Sequence, residues 1–215
     1  MTVTGAAIEA ESFRILADRV DLSNFDRTAR LVVARVIHAS ADIEYASTLV
    51  VDADAVQAGV DAIVAGAPVI TDVEMTRHGI SGVATECFLA RASAAESGDR
   101  ASAAESGDRA SAAESGTRSA IGITLAAERH PRGAIVVIGC APTALAEVVR
   151  LYRAGAFNPA LVIGLPVGFV GAKESKQSLR STNLASISNV GEKGGSAVAA
   201  AALNAIVRFA SNADA

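Results

Sequence analysis

Two runs of the chain carry no polar side chain: Ala134-Ile135-Val136-Val137-Ile138 and Ala160-Leu161-Val162-Ile163-Gly164, each set off by Gly or Pro. Such β-branched runs are the habit of strands buried on both faces of a parallel sheet. Pro68-Val69-Ile70-Thr71, Thr85-Glu86-Cys87-Phe88-Leu89 and Ser186-Ile187-Ser188-Asn189-Val190 predict three more strands. Between them, apolar residues at helical spacing predict helices over 6–19, 25–40, 53–65, 118–130, 143–154, 172–181 and 195–210. The alternation predicts a single α/β domain over 1–215, with a mostly parallel central sheet of about five strands and helices on both faces. Ligands of such sheets gather at the carboxyl ends of the strands.

One segment stands outside this pattern. Ala92-Ser-Ala-Ala-Glu-Ser-Gly-Asp-Arg100 recurs at 101–109 and, with Thr117 in place of Asp, at 110–118. A nine-residue period places equivalent residues on opposite sides of a 3.6-residue helix, so no continuous face results. Each copy contains a Gly and nothing apolar larger than Ala, so the array cannot build a core of its own. The repeats over about 92–117 are therefore expected to be an insertion without chemistry. Thr117 is expected to cap the following helix, placing Arg118 in its first turn. There a cation opposes the helix dipole, which makes sense where an anion binds.

Composition narrows the function. Of 215 residues 51% are hydrophobic but only 4% aromatic, so the core must be aliphatic. A net charge of −4 argues against nucleic acid or an anionic membrane as partner. The first residues lack the features of a secretory signal and no apolar run reaches membrane-spanning length, so a cytoplasmic location is expected. Cys87 and Cys140 lie in apolar surroundings without metal-ligand spacing; both are expected to be buried, and no metal is expected.

Three turns after predicted strands could hold an anion. Pro166-Val167-Gly168-Phe169-Val170-Gly171-Ala172-Lys173-Glu174-Ser175-Lys176 offers glycines that permit close backbone approach and a helix start flanked by Lys173, Ser175 and Lys176. Gly139-Cys140-Ala141-Pro142-Thr143 offers free amides and the Thr143 hydroxyl, and Gly191-Glu192-Lys193-Gly194-Gly195-Ser196 repeats the theme. None has the spacing of a dinucleotide fingerprint or a P-loop, which disfavours a nucleotide-dependent oxidoreductase. All three should converge on one sheet edge. No histidine lies near Cys140 in sequence to support it as a nucleophile.

His38 closes the apolar stretch Leu31 to Ile37, and on helical spacing it shares a face with Leu31, Ala34 and Arg35. Imidazole suits proton transfer near neutral pH. The alternative is a core histidine bonded to a backbone carbonyl.

Taken in order, several segments resemble the precorrin-8X methylmutase (precorrin isomerase) family of cobalamin biosynthesis. They are Glu11-Ser12-Phe13-Arg14-Ile15, Val36-Ile37-His38-Ala39, Gly66-Ala67-Pro68-Val69, Asp72-Val73-Glu74-Met75 with Gly79-Ile80, Thr117-Arg118-Ser119-Ala120, Gly139 through Leu145, Pro166 through Lys176, and Gly194-Gly195-Ser196-Ala197. The resemblance runs from about 6 to 208, leaving out the repeats. It implies a homodimer that binds a corrinoid, precorrin-8X or cobalt-precorrin-8, without a cofactor. The implied reaction moves a methyl group from ring carbon C11 to C12, giving hydrogenobyrinate or cobyrinate, assisted by proton donation from the histidine of the Ile-His-Ala motif, here His38.

By the same resemblance Ser12 and Arg35 match substrate-contacting positions, and Arg118 matches the arginine of the family's Thr-Arg-Ser segment. Together with the turns, this gives a candidate substrate-binding set of Ser12, Arg14, Arg35, Arg118, Ser119, Thr143, Gly168, Gly171, Lys173, Ser175, Lys176, Gly194, Gly195 and Ser196. A polycarboxylate ring needs such scattered donors around an aliphatic floor. Arg35 would repel an imidazolium at His38 unless a carboxylate, such as one from the substrate, intervenes. Cys140, Ser40 and Lys193 depart from the family pattern, where Asn, Cys and Arg are usual. A non-catalytic corrinoid carrier is the alternative reading.

Overall fold

The computed structural model describes residues 4–92 and 116–213, with side chains to 211. Most of the repeat insertion therefore lies outside the described residues. In chain order the elements are α1 (Gly5–Arg19), α2 (Arg27–Ser40), α3 (Tyr45–Thr48), β1 (Leu49–Val51), α4 (Ala55–Val64), β2 (Val69–Thr71), α5 (Glu74–Gly79) and β3 (Thr85–Cys87). After the insertion come α6 (Arg118–Arg129), β4 (Ile135–Ile138), α7 (Pro142–Arg153), β5 (Leu161–Gly164), α8 (Ala172–Arg180), β6 (Ser186–Asn189) and α9 (Ser196–Ala213).

The two unbroken apolar runs become β4 and β5, paired in parallel with Ile135 opposite Leu161 and Ile138 opposite Gly164. Because successive strand side chains point to opposite faces, one strand feeds two cores. Ile135, Val137, Leu161 and Ile163 pack with Val33 and Val36 of α2, Val56 and Val60 of α4, and Leu203 and Ile206 of α9. On the other face Val136, Ile138 and Val162 meet Ile123 of α6, Leu145 and Val148 of α7, and Leu179 of α8. The sheet thus carries helices on both faces, as its pattern predicts.

Six strands form the sheet, in the order β1-β6-β5-β4-β2-β3. The strand missing from the sequence reading is β1, which runs antiparallel to β6 at one edge with Leu49 opposite Asn189. Its three residues follow directly on the single turn α3, too short for periodicity to register. The expected strand over 85–89 stops at Cys87, and residues 89–92 are helical. The short α5 was likewise unread.

Capping sets the helix starts that matter below. Thr4 accepts from the amide of Ala7 at the head of α1, and Asp26 accepts from those of Thr28 and Ala29 at the head of α2. Thr117 caps α6 through the amide of Ala120, as the sequence predicts. At the far end of α2, Ser40 returns its hydroxyl to the Val36 carbonyl and Ala41 takes a left-handed conformation (φ 53°), ending the helix just beyond His38.

Candidate active site

His38 is half-buried on the last turn of α2, under α1. Glu9, Ser12, Phe13 and Leu16 lie on one stripe of α1 at helical spacing, and this stripe faces Arg35 and His38. The Ser12 hydroxyl lies 2.8 Å from His38 Nδ1, and the Phe13 ring stacks on the imidazole at 4.9 Å between centroids with a 17° tilt. The Arg35 guanidinium sits 4.7 Å from the Phe13 ring centre and forms an ion pair with Glu9. The alternative of a core histidine satisfied by a backbone carbonyl does not hold, because its Nδ1 partner is a side-chain hydroxyl. The Phe13 ring lies against both Arg35 and the imidazole, and the carboxylate that pairs with Arg35 is the chain's own Glu9.

His38 and Arg35 line a cavity of about 440 Å³, together with Ala39, Ser81, Gly82, Ala201, Asn204, Val207, Arg208 and Ser211. Asn204 shapes its floor by accepting from the Ser81 amide and donating to the Gly79 carbonyl. An apolar cavity of about 310 Å³ adjoins it, lined by Phe13, Leu31, Ala34, Ala205 and Phe209 and again by Arg35 and Arg208. Both sizes fall in the range of small-molecule sites.

The glycine turns do meet at the carboxyl edge of the sheet. The Gly171 Cα faces Pro142 at the head of α7, with a Cβ there 3.4 Å from the Pro142 Cβ. A Cβ on Gly194 would strike the Leu165 and Pro166 carbonyls, so only glycine fits. The Thr117 and Thr143 hydroxyls lie 2.6 Å apart, bringing the heads of α6 and α7 together. Arg118, Thr143 and Lys173 are exposed and Ser119 half-buried around this patch. Gly168 and Gly171 take positive φ values of 146° and 78°, and Gly195 one of 134°.

Several predicted donors, however, are committed within the protein. The amides of Gly139, Cys140 and Ala141 do not await an anion. They donate to the buried carboxylate of Asp72 at 3.1, 2.8 and 2.8 Å. Thr76 donates to the same carboxylate at 3.0 Å and accepts from Ser196 at 2.9 Å, so the Ser196 hydroxyl is used as well. Ser175 is buried with its hydroxyl on the Ala172 carbonyl. Lys176 is fully buried, donating to Asn189 Oδ1 at 2.9 Å and the Lys193 carbonyl at 2.6 Å, and burial pushes its ammonium down to about 8. The Gly168 and Gly195 amides donate to the carbonyls of Glu192 and Leu165. Arg14 points to solvent, paired with Glu11 and Asp18 on its own helix, away from His38. Ser175, Lys176 and Ser196 are thus corrected from ligand contacts to structural roles, and Arg14 from a ligand contact to a surface ion pair.

The cysteine expectation also changes. Cys140 is exposed and Cys87 only half-buried. Partial desolvation of the sulfur and the neighbouring Asp72 carboxylate hold the Cys140 thiol above its usual range, which makes it a poor nucleophile. His78 is exposed with Nδ1 on the Glu74 carbonyl, and His130 is half-buried against Glu86. Lys193 pairs with Asp42 and Glu44, tying the loop after α2 to the third glycine turn. Among the described residues no group of three or more His, Cys, Asp or Glu could hold a metal ion, and no helix is long and apolar enough to cross a membrane.

Sequence reasoning missed Asp72 as the organiser of the edge, and Glu9, Asn204 and Arg208 as neighbours of His38. An acid closing a buried strand was the available signal for Asp72. The stripe 9, 12, 13, 16 was the signal for Glu9. For Asn204 and Arg208, within a long aliphatic helix, only the fold supplies the neighbour.

Comparison with known proteins agrees with this fold. A solved structure from Thermus thermophilus described as a precorrin-8X methyl mutase superposes with a TM-score of 0.83 at 36% identity, covering 97% of this chain and 98% of its own. The cobalt-precorrin-8 methylmutase of Methanocaldococcus jannaschii is 38% identical over 92% of this chain and 87% of its own. The precorrin-8X methylmutase of Sinorhizobium sp is 39% identical over 95% and 94%. The family model for precorrin-8X methylmutase matches residues 7–209, and with these likenesses it shows that the chain belongs to the precorrin-8X methylmutase family, isomerases of cobalamin biosynthesis.

Proposed function

We propose that this isomerase moves a methyl group from C11 to C12 of precorrin-8X to give hydrogenobyrinate, or converts cobalt-precorrin-8 to cobyrinate, with His38 donating a proton to the ring. The observation that carries the reading is the Ser12–His38 contact of 2.8 Å, with His38 lining the 440 Å³ cavity. As the imidazolium, His38 donates its Nδ1–H to the Ser12 hydroxyl and holds its Nε2–H for the substrate, and giving up that proton leaves a neutral imidazole. Phe13 fixes the ring plane by stacking. A proton delivered to the conjugated macrocycle spreads positive charge over it and eases methyl migration, and a proton lost from the macrocycle after migration returns to His38, so that the isomerisation is proton-neutral. A positioned general acid of this kind contributes about 10²–10⁴-fold.

The apolar cavity beside Phe13 suits the macrocycle, and Arg35 suits a peripheral carboxylate. Arg118, Ser119, Thr143 and Lys173 form a second donor patch for the remaining carboxylates, and the glycines Gly168, Gly171, Gly194 and Gly195 shape the loops beside it, the Gly168 and Gly195 amides being spent on backbone carbonyls. The reading includes no cofactor, a homodimer and a cytoplasmic location. The apolar tip of the 166–171 loop, with Phe169 98% and Val170 88% exposed, supports the dimer. Anaerobic incubation with precorrin-8X tests the reaction: the absorbance of hydrogenobyrinate should develop stoichiometrically. Bound but unchanged substrate would refute it.

A further inference from the structure

We propose that Glu9 is a built-in stand-in for a substrate carboxylate, and that Arg208, which shares it with Arg35, is a further substrate-binding residue. The inference rests on the corrinoid reading of the His38 cavity. Glu9 Oε1 takes an ion pair from Arg35 Nη1 and another from Arg208 Nη1, the latter at 3.0 Å. Two guanidiniums on one carboxylate oxygen leave one positive charge in excess, the condition under which an incoming anion is welcome.

The position of the pair matters as much as its charge. Arg35 and Arg208 are the residues common to the polar cavity that holds His38 and the apolar cavity beside Phe13. They therefore stand where a ligand spanning both cavities would pass, with its ring on the apolar side and its reacting edge at the imidazole. Glu9 comes from α1, whose one buried residue is Leu16, so the helix segment carrying it is lightly held. Glu9 is about one-third exposed and Arg208 more than half, and ion pairs at such depth are cheap to exchange. A ligand carboxylate would displace Glu9, take over both guanidiniums, and leave the Ser12–His38 contact undisturbed one turn further along α1.

The test is a spectroscopic titration of hydrogenobyrinate into wild type, Glu9→Gln, Arg208→Gln and Arg35→Gln. Removing the competing carboxylate should tighten binding several-fold, and losing either guanidinium should weaken it by about tenfold, the scale of one charge-assisted hydrogen bond. Because Glu9→Gln also removes a tie between α1 and α2, Arg208→Gln on α9 supplies the independent arm. The proposal is overturned if Arg208→Gln binds as wild type, or if Glu9→Gln binds no more tightly while the Ser12–His38 contact, followed by the imidazole NMR shift, is intact. If Arg35→Gln also binds as wild type, the corrinoid reading of this cavity fails with it; if Arg35→Gln alone weakens binding, only the present proposal falls.

Discussion

Asp72→Asn changes one atom's identity in the buried carboxylate that organises the sheet edge. In the native arrangement Oδ2 accepts from the amides of Cys140 and Ala141, and Oδ1 from the amide of Gly139 and the Thr76 hydroxyl. An asparagine can place its NH₂ group toward either side. Facing Cys140 and Ala141, it meets two donors; facing Gly139, it meets one, while Thr76 can rotate its hydroxyl to accept. The better choice leaves one buried amide unpaired, at about 1–3 kcal/mol, and strips charge assistance from two others, at about 1 kcal/mol each. The neutral amide recovers part of the carboxylate's desolvation. The net expectation is a loss of about 3 kcal/mol in urea unfolding, or a fall of about 6–12 °C in Tm for a chain of this size. In the folded variant the Cys140 thiol, relieved of the adjacent negative charge, should alkylate faster at pH 8 than in the native protein. A variant within 1 kcal/mol of wild type, with unchanged thiol reactivity, would refute the reasoning: the 139–141 amides would then be satisfied by solvent and open to a ligand after all.

Other substitutions separate structural from functional residues. Lys176 keeps its proton to about pH 8 in the fold and to about 10.5 when unfolded, so between those values the unfolded chain binds more protons and this group's contribution to stability rises with pH. Comparing urea unfolding at pH 7.5 and 9.5, wild type should gain about 1–2 kcal/mol over Lys176→Met after allowance for solvent screening, and equal changes would count against the buried ammonium. Arg14→Ala removes only exposed pairs along α1, so turnover should stay within about twofold of wild type in the precorrin-8X assay and the urea unfolding midpoint should not move. Deleting residues 92–109 should leave fold and turnover intact, because the repeat puts Ala110 in the place of the buried Ala92 and Gly122 of α6 already lies against Phe88. Loss of the circular dichroism of the native fold on deletion would contradict this.

Much of the frame was readable because it rests on local pattern. The aliphatic runs of β4 and β5 announce a sheet covered on both faces, and the glycines after β4, β5 and β6 announce turns at one edge. Helical spacing placed Arg35 one turn before His38. What the chain hides is who answers whom across it. The Gly139 turn reads as an anion site until its anion is found to be Asp72, 67 residues earlier. Lys176 reads as a helix-head cation until the fold closes around it and gives it Asn189 and the Lys193 carbonyl. Glu9 and Arg208, 199 residues apart, meet only because α1 and α9 both pack on α2. The short β1 and α5 owe their structure to neighbours rather than to periodicity.

The central claim is that His38, oriented by Ser12 and Phe13, gives the proton that lets the methyl group move. Single-turnover conversion of precorrin-8X by His38→Ala, followed anaerobically by product absorbance alongside a titration of hydrogenobyrinate, tests it most directly. The rate should fall by about 10²–10⁴-fold while product binding persists; near-normal turnover in that variant would contradict the account.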